Sequence, residues 1–187
     1  MKDKFQLLEK KNIYVLIFLT LYLTVVLGFY LDEDNLGGAA HDALHHFKIA
    51  QKFNQDFYFT LKNFGNGDYE LGTRNSPIFW ILISLLNKIF SYDTIRILNS
   101  LTLPLTGIIF YKCLKLKFKE VDNKYIVILS TFIFLSPSLR SLAIWPYSIN
   151  WGLLVFIISI YYYLKFKNNL NFKNSSLILS LLIFSSY

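Results

Sequence analysis

Five uncharged, largely apolar runs constrain this chain more than any other feature: residues 13–30, 97–111, 125–139, 141–164 and 174–187. The first holds eighteen residues without a charge, close to the roughly 20 an α-helix needs to cross about 30 Å of hydrocarbon. A backbone inside a bilayer finds no water, so such a run must satisfy its N–H and C=O groups within its own helix. Two runs of fifteen residues are shorter, but Arg and Lys at their ends can snorkel to the interface and extend them. Hydrophobic residues make up 54% of the chain and mean hydropathy is +0.40, beyond an ordinary soluble domain. The fold class that follows is all-α, a polytopic helical membrane protein with residues 1–187 in one transmembrane domain.

Charge sets the expected orientation. Lys112, Lys115, Lys117, Lys119 and Lys124 crowd one connection, and Lys-rich loops stay on the cytoplasmic side. Lys2, Lys4, Lys10 and Lys11 likewise place the amino terminus inside. Both hold together only if the apolar stretch 77–87 does not cross, and its eleven residues are too few for a spanning helix. It is expected instead as an interfacial helix at about 77–90. Spans then fall at about 13–30, 95–114, 125–139, 147–164 and, incomplete, 174–187. Residues 31–94 become an extracytoplasmic loop, and the location is the plasma (inner) membrane. The final run stops without a flanking charge, which is expected of an amino-terminal piece of a longer chain.

Other classes are excluded on similar grounds. The net charge of +7 is an orientation signal. Basic residues flank the spans rather than lining one face, so the partner is the lipid bilayer and not nucleic acid. A cleaved signal peptide is disfavoured because the first apolar run is too long and no A-x-A site follows it. The single Cys113 allows no internal disulfide and suggests no thiol chemistry.

Chemistry concentrates just after the first run, where Asp32, Glu33 and Asp34 stand together. Ionisable groups at membrane depth are functional candidates by default. Leu36-Gly37-Gly38 is expected to break the helix that leaves the membrane. Beyond it, Ala40, Ala43, Leu44, Phe47 and Ala50 recur at spacings of three and four and predict an amphipathic surface helix at about 39–53. His41, Asp42, His45, Lys48 and Lys52 lie away from that face. Asn54 to Asp56 end the helix.

His41 and His45 are four apart, as are Asp42 and His46, a spacing that suits a divalent metal. Two ligands do not make a site, so a third or fourth would come from the acidic trio, Asp68 or Glu70. Solvated polar residues are the alternative. Phe57, Tyr58, Phe59 and Phe64 suit the headgroup layer, and Gly65-Asn66-Gly67-Asp68 is a turn signal. Arg74 and Arg140 are candidates for gripping a phosphate, or else interface anchors. Ser136-Pro137 and Trp145-Pro146 mark a short, structured exit and re-entry.

These features together resemble the GT-C class of integral-membrane glycosyltransferases. The resemblance rests on the acidic motif 32–34 after the first span, the surface helix 39–53, and the Ser-Pro-Ile-Phe-Trp-Ile-Leu stretch 76–82. Residues 135–164 resemble the segment that follows in bacterial members. It implies transfer of a sugar from a polyprenyl-phosphate carrier to a glycan, lipid or protein acceptor at the outer face. It further implies that Asp32 or Glu33 serves as general base, ahead of Asp34, with Asp42 in reserve. The Gly-Gly insertion and the His-rich helix depart from the pattern. A transporter or flippase fragment, or a non-catalytic subunit of a cell-surface polysaccharide assembly system, is the alternative.

Overall fold

Helices supply all the regular structure among the described residues of this computed structural model, which are 2–35, 37–72, 76–169 and 171–186, with side chains from 15 onward except at 16. The chain leads with α1 (Lys2–Tyr30) and then forms a group of short helices, α2 (Ala39–Gln55), α3 (Phe57–Lys62) and α4 (Ile78–Asn87). It continues through α5 (Tyr92–Ser100) and α6 (Thr102–Lys117), then α7 (Asn123–Thr131) and α8 (Pro137–Ile144). It closes with α9 (Ser148–Phe166) and α10 (Phe172–Ser185).

Among the described residues two helices are long and apolar enough to cross a membrane: Tyr92–Lys117, in which α5 runs into α6, and Ser148–Phe166. A third qualifies if a bent pair, Asn123–Leu135 with Pro137–Ile144, counts as one span. The apolar stretch Ile17–Tyr30 within α1 and the helices Ile78–Asn87 and Phe172–Ser185 are shorter.

The stretch expected as a straight span at 125–139 is broken. After α7 the backbone tightens into a 3-10 turn at Phe132–Leu135, and Ser136 is extended at φ −74°, ψ 114°. Pro137 explains the break, since proline disfavours helical geometry in the residue before it and offers no N–H. Ser136 then starts a new helix, its hydroxyl accepting from the Leu139 N–H at 3.3 Å with Pro137 in the first turn. The two segments meet at 66°. The span expected from residue 95 also starts earlier, because Ser91 caps α5 by accepting from Thr94 N–H at 3.3 Å.

In the segment 31–94, α2 and α4 pack on each other. Ile49, Ala50 and Phe53 of α2 meet Phe79, Trp80 and Ile83 of α4, with Leu71 and Ile95 in the same cluster. The buried face of α2 is therefore Ala39, Ala43, His46, Ile49, Ala50 and Phe53, rotated from the expected stripe. Leu44 is exposed and His46 is buried. The expected end of the helix before Asp56 is found, and Asp56 caps α3 by accepting from Phe59 N–H at 2.9 Å. The turn at 65–68 is found too, with Asn66 Oδ1 accepting from Asp68 N–H at 3.0 Å. Helix α4 ends at Asn87, three residues short of the expected boundary at 90.

One polar side chain joins the bundle at its centre. Asn99 of α5 is 1% exposed. Its amide nitrogen donates to Leu142 O at 2.9 Å and Ala143 O at 2.7 Å, and its oxygen accepts from Trp151 Nε1 at 2.8 Å. Those carbonyls belong to the last turn of α8, which has no partners of its own. Asn99→Leu keeps the branched outline and leaves two carbonyls and an indole N–H unpaired. We expect a loss of roughly 2–4 kcal/mol, read as a lowered thermal midpoint of the purified protein in detergent, with helix content unchanged at low temperature.

Candidate functional site

Helix α1 does not end at the two glycines. Asp32 adopts left-handed geometry, φ 49°, and its N–H donates to Phe29 O at 3.3 Å while Glu33 N–H donates to Gly28 O at 2.9 Å. This pair of bonds is a Schellman motif, with Asp in the position usually held by Gly. Gly37 and Gly38, at φ 63° and 153°, serve the later turn into α2. Gly28 has its own reason: a Cβ there would overlap Glu33 Oε2 and come within 2.9 Å of Ile144 Cδ1.

The three acids then take three different positions. Asp34 caps α2. Its Oδ1 accepts from Gly38 N–H at 3.3 Å and Ala39 N–H at 3.0 Å, and its Oδ2 from Ala40 N–H at 3.2 Å. Glu33 turns inward, 18% exposed, onto Arg140, 21% exposed. Arg140 donates through Nη2 to Oε1 at 2.7 Å and through Nε to Oε2 at 3.3 Å, a bidentate pair. Asn35 Nδ2 also donates to Oε1, so both oxygens of Glu33 are engaged. Asp32 turns outward, 65% exposed, and accepts from Arg96 Nη2 at Oδ1, 2.7 Å away. Among the described residues its Oδ2 accepts no hydrogen bond.

Arg96 is the residue that the sequence reading misses. It lies at the head of an apolar run, where it reads as the charged end of a span. In the structure it is 11% exposed. Its guanidinium lies over the rings of Phe29, at 4.7 Å, and Trp145, at 3.9 Å. Its Nε reaches Ile144 O at 3.5 Å. Trp145 in turn donates its indole N–H to Glu33 O at 3.1 Å, and Ser141 Oγ accepts from Asn35 N–H at 2.9 Å. The ends of α1, α5 and α8 are thus tied to one patch by charge, ring faces and backbone bonds.

The other expected site residues stand apart. Asp42 and His41 are exposed in the first turn of α2, and His45 is half-buried. Among the described residues no three His, Cys, Asp or Glu side chains are grouped as a metal site needs. The metal expectation therefore retains the pair His41 and His45, without a third ligand from Asp68 or Glu70. Glu70 is instead held by Lys52 at 2.9 Å, which keeps its carboxyl below the usual range. Arg74 lies outside the described residues. Arg140 is in place for anion contact only through the donors that Glu33 leaves, since Nη1 bonds no described residue. Compared with known protein families, curated proteins and solved structures, the chain matches none.

His46 is the histidine that the fold uses. Its ring packs 3.9 Å from Trp80 and 4.9 Å from Tyr147, and its buried Nδ1 has no hydrogen-bond partner among the described residues. Burial, followed by the neighbouring His45, lowers its pKa from 6.5 to about 4. A histidine depressed on folding binds fewer protons in the native state than in the unfolded one. Its effect on stability is nil above pH 6.5, grows as pH falls to about 4, and is constant below. We expect His46→Phe to remove roughly 2–3 kcal/mol of acid destabilisation between pH 7 and pH 4. Thermal midpoints of both proteins across that range measure it. Parallel curves would show that His46 is not the titrating group.

Proposed function

We propose that this chain is a multi-pass membrane glycosyltransferase that moves a sugar from a polyprenyl-phosphate carrier to an acceptor at the outer face, with Asp32 as its base. One observation carries the reading. Of three consecutive carboxylates, Asp34 caps a helix and Glu33 is locked on Arg140, whereas Asp32 is oriented by Arg96 and still exposes an oxygen that no described residue engages. A general base needs that combination, a fixed position with one lone pair open to the reacting hydroxyl.

In this reaction the acceptor oxygen attacks the anomeric carbon from the side opposite the carrier. The bond from that carbon to the phosphate oxygen breaks, its electron pair leaves on the polyprenyl phosphate, and the acceptor proton passes to Asp32. The configuration inverts. Arg140 remains available to the departing phosphate through its outer donors. The short helices α2 and α4 suit a layer at the membrane surface where lipid donor and acceptor can meet, and the lysines at the end of α6 suit the cytoplasmic side.

The break at Pro137 favours a second reading, since transporters build their sites on discontinuous helices. Substrate flux into proteoliposomes without covalent transfer would select it.

Turnover decides between the carboxylates. With a radiolabelled polyprenyl-phosphate sugar, we expect Asp32→Asn to lower transfer by about 10²–10⁴-fold, the range a general base contributes. Asp42→Asn should stay near wild type, and Glu33→Gln should lower stability more than turnover. Wild-type transfer by Asp32→Asn would overturn the assignment. Topology is checked separately by placing a cysteine at Lys117 in a Cys113→Ser background. A membrane-impermeant maleimide should label it only after cells are permeabilised; labelling of intact cells would mean that residues 77–87 cross the bilayer.

A further inference from the structure

A groove of about 470 Å³ opens between α1, α6 and α7, toward the end of α1 that points away from the acidic trio. Val15, Leu19, Ile108 and Val127 form its walls. Ser130 and Thr131 also reach it, but their hydroxyls donate to Val127 O and Ile128 O, each at 2.8 Å, so the walls stay apolar. Gly107 lines it without a side chain, where a Cβ would press within 3.3 Å of the Phe134 ring.

Tyr111, Lys115 and Asn123 line the groove where α6 ends and α7 begins. Tyr111 Oη donates to Asn123 Oδ1 at 2.7 Å and accepts from Lys115 Nζ at 3.4 Å. Lys115 carries three N–H donors and Asn123 two, so both keep donors for an outside acceptor. The adjacent acid, Asp122, accepts from Lys124 N–H at 3.0 Å and lies 3.7 Å from Lys124 Nζ, which balances its charge. Lys112 and Lys117 add positive charge on the same stretch of helix.

A free phosphate would use this mouth and gain nothing from the walls. A neutral acyl chain would use the walls and not the mouth. Both features together fit an amphiphile with a negative head. We propose that the groove holds an anionic membrane glycerophospholipid, its phosphate on Lys115 and Asn123 and one acyl chain along the walls. The site rests on the membrane placement proposed above and is independent of the transfer chemistry.

Native mass spectrometry of the purified full chain in detergent tests it with phosphatidylglycerol and phosphatidylcholine as probes. Phosphatidylglycerol should be retained about fivefold better, the factor expected of one lysine near an anionic head. Lys115→Gln, at an exposed position, should erase that preference. Leu19→Trp, also exposed, should fill the groove and weaken both lipids. The proposal is overturned if Lys115→Gln keeps the preference, if Leu19→Trp retains both lipids, or if inorganic phosphate alone displaces phosphatidylglycerol. Wild-type transfer by Asp32→Asn with the lipid preference intact marks failure of the proposed activity alone. Loss of transfer in Asp32→Asn with the lipid preference kept by Lys115→Gln marks failure of this site alone.

Discussion

Arg96 is the contact on which the upper part of this structure depends. Its planar guanidinium lies against the rings of Phe29 and Trp145, and its N–H groups point outward in the plane for hydrogen bonding. Those groups reach Asp32 on α1 and Ile144 O on α8. One side chain therefore joins three helices that are far apart in sequence. A cation over an aromatic ring contributes roughly 0.5–2 kcal/mol, and the planar fork fixes direction in a way an ammonium cannot. Asn99, three residues along the same helix, holds the two carbonyls before Ile144. The end of α8 is thus capped from the side by α5.

The acidic trio is readable through the helix ends it touches. Asp32 and Glu33 follow the carboxyl end of α1, where the backbone already presents negative partial charge. Two further negative charges there are unfavourable, and each is met by its own arginine from another helix. Asp34 stands only two residues further on but faces the amino end of α2, where three backbone N–H groups receive it. The same residue type is a liability at one helix end and a cap at the next.

Much of this was legible in the sequence where a local rule applies. The end of α2 within Asn54 to Asp56, the turn at 65–68 and the short helix after Pro77 follow from residue types at fixed offsets, and all three are found. Placing the first candidate site at 32–34 also needed only the charge pattern. What could not be read is tertiary. The face of α2 rotates because Trp80 and Tyr147 offer His46 an aromatic berth, whereas Leu44 finds no partner and stays exposed. Arg96 reads as the ordinary charged end of a span because nothing local tells of Phe29 or Trp145. Assigning separate roles to the three carboxylates likewise required their partners, which lie up to 107 residues away in the case of Glu33 and Arg140.

The bend at Pro137 has a physical reason that connects these points. A straight continuation of α7 would carry Arg140 along the axis of that helix and away from Glu33. Turning by 66° lays α8 against α1 and α5 instead, so that Arg140 meets Glu33 and the last carbonyls meet Asn99 and Arg96. The cost of such a bend is a second set of unpaired helix ends, each expensive where water is scarce. Ser136 answers for the beginning of α8 and the α5 side chains for its end. A short helix with both ends satisfied by neighbours can sit beside apolar surroundings without water. It can also hold the Arg140–Glu33 contact that a continuous span would have kept apart.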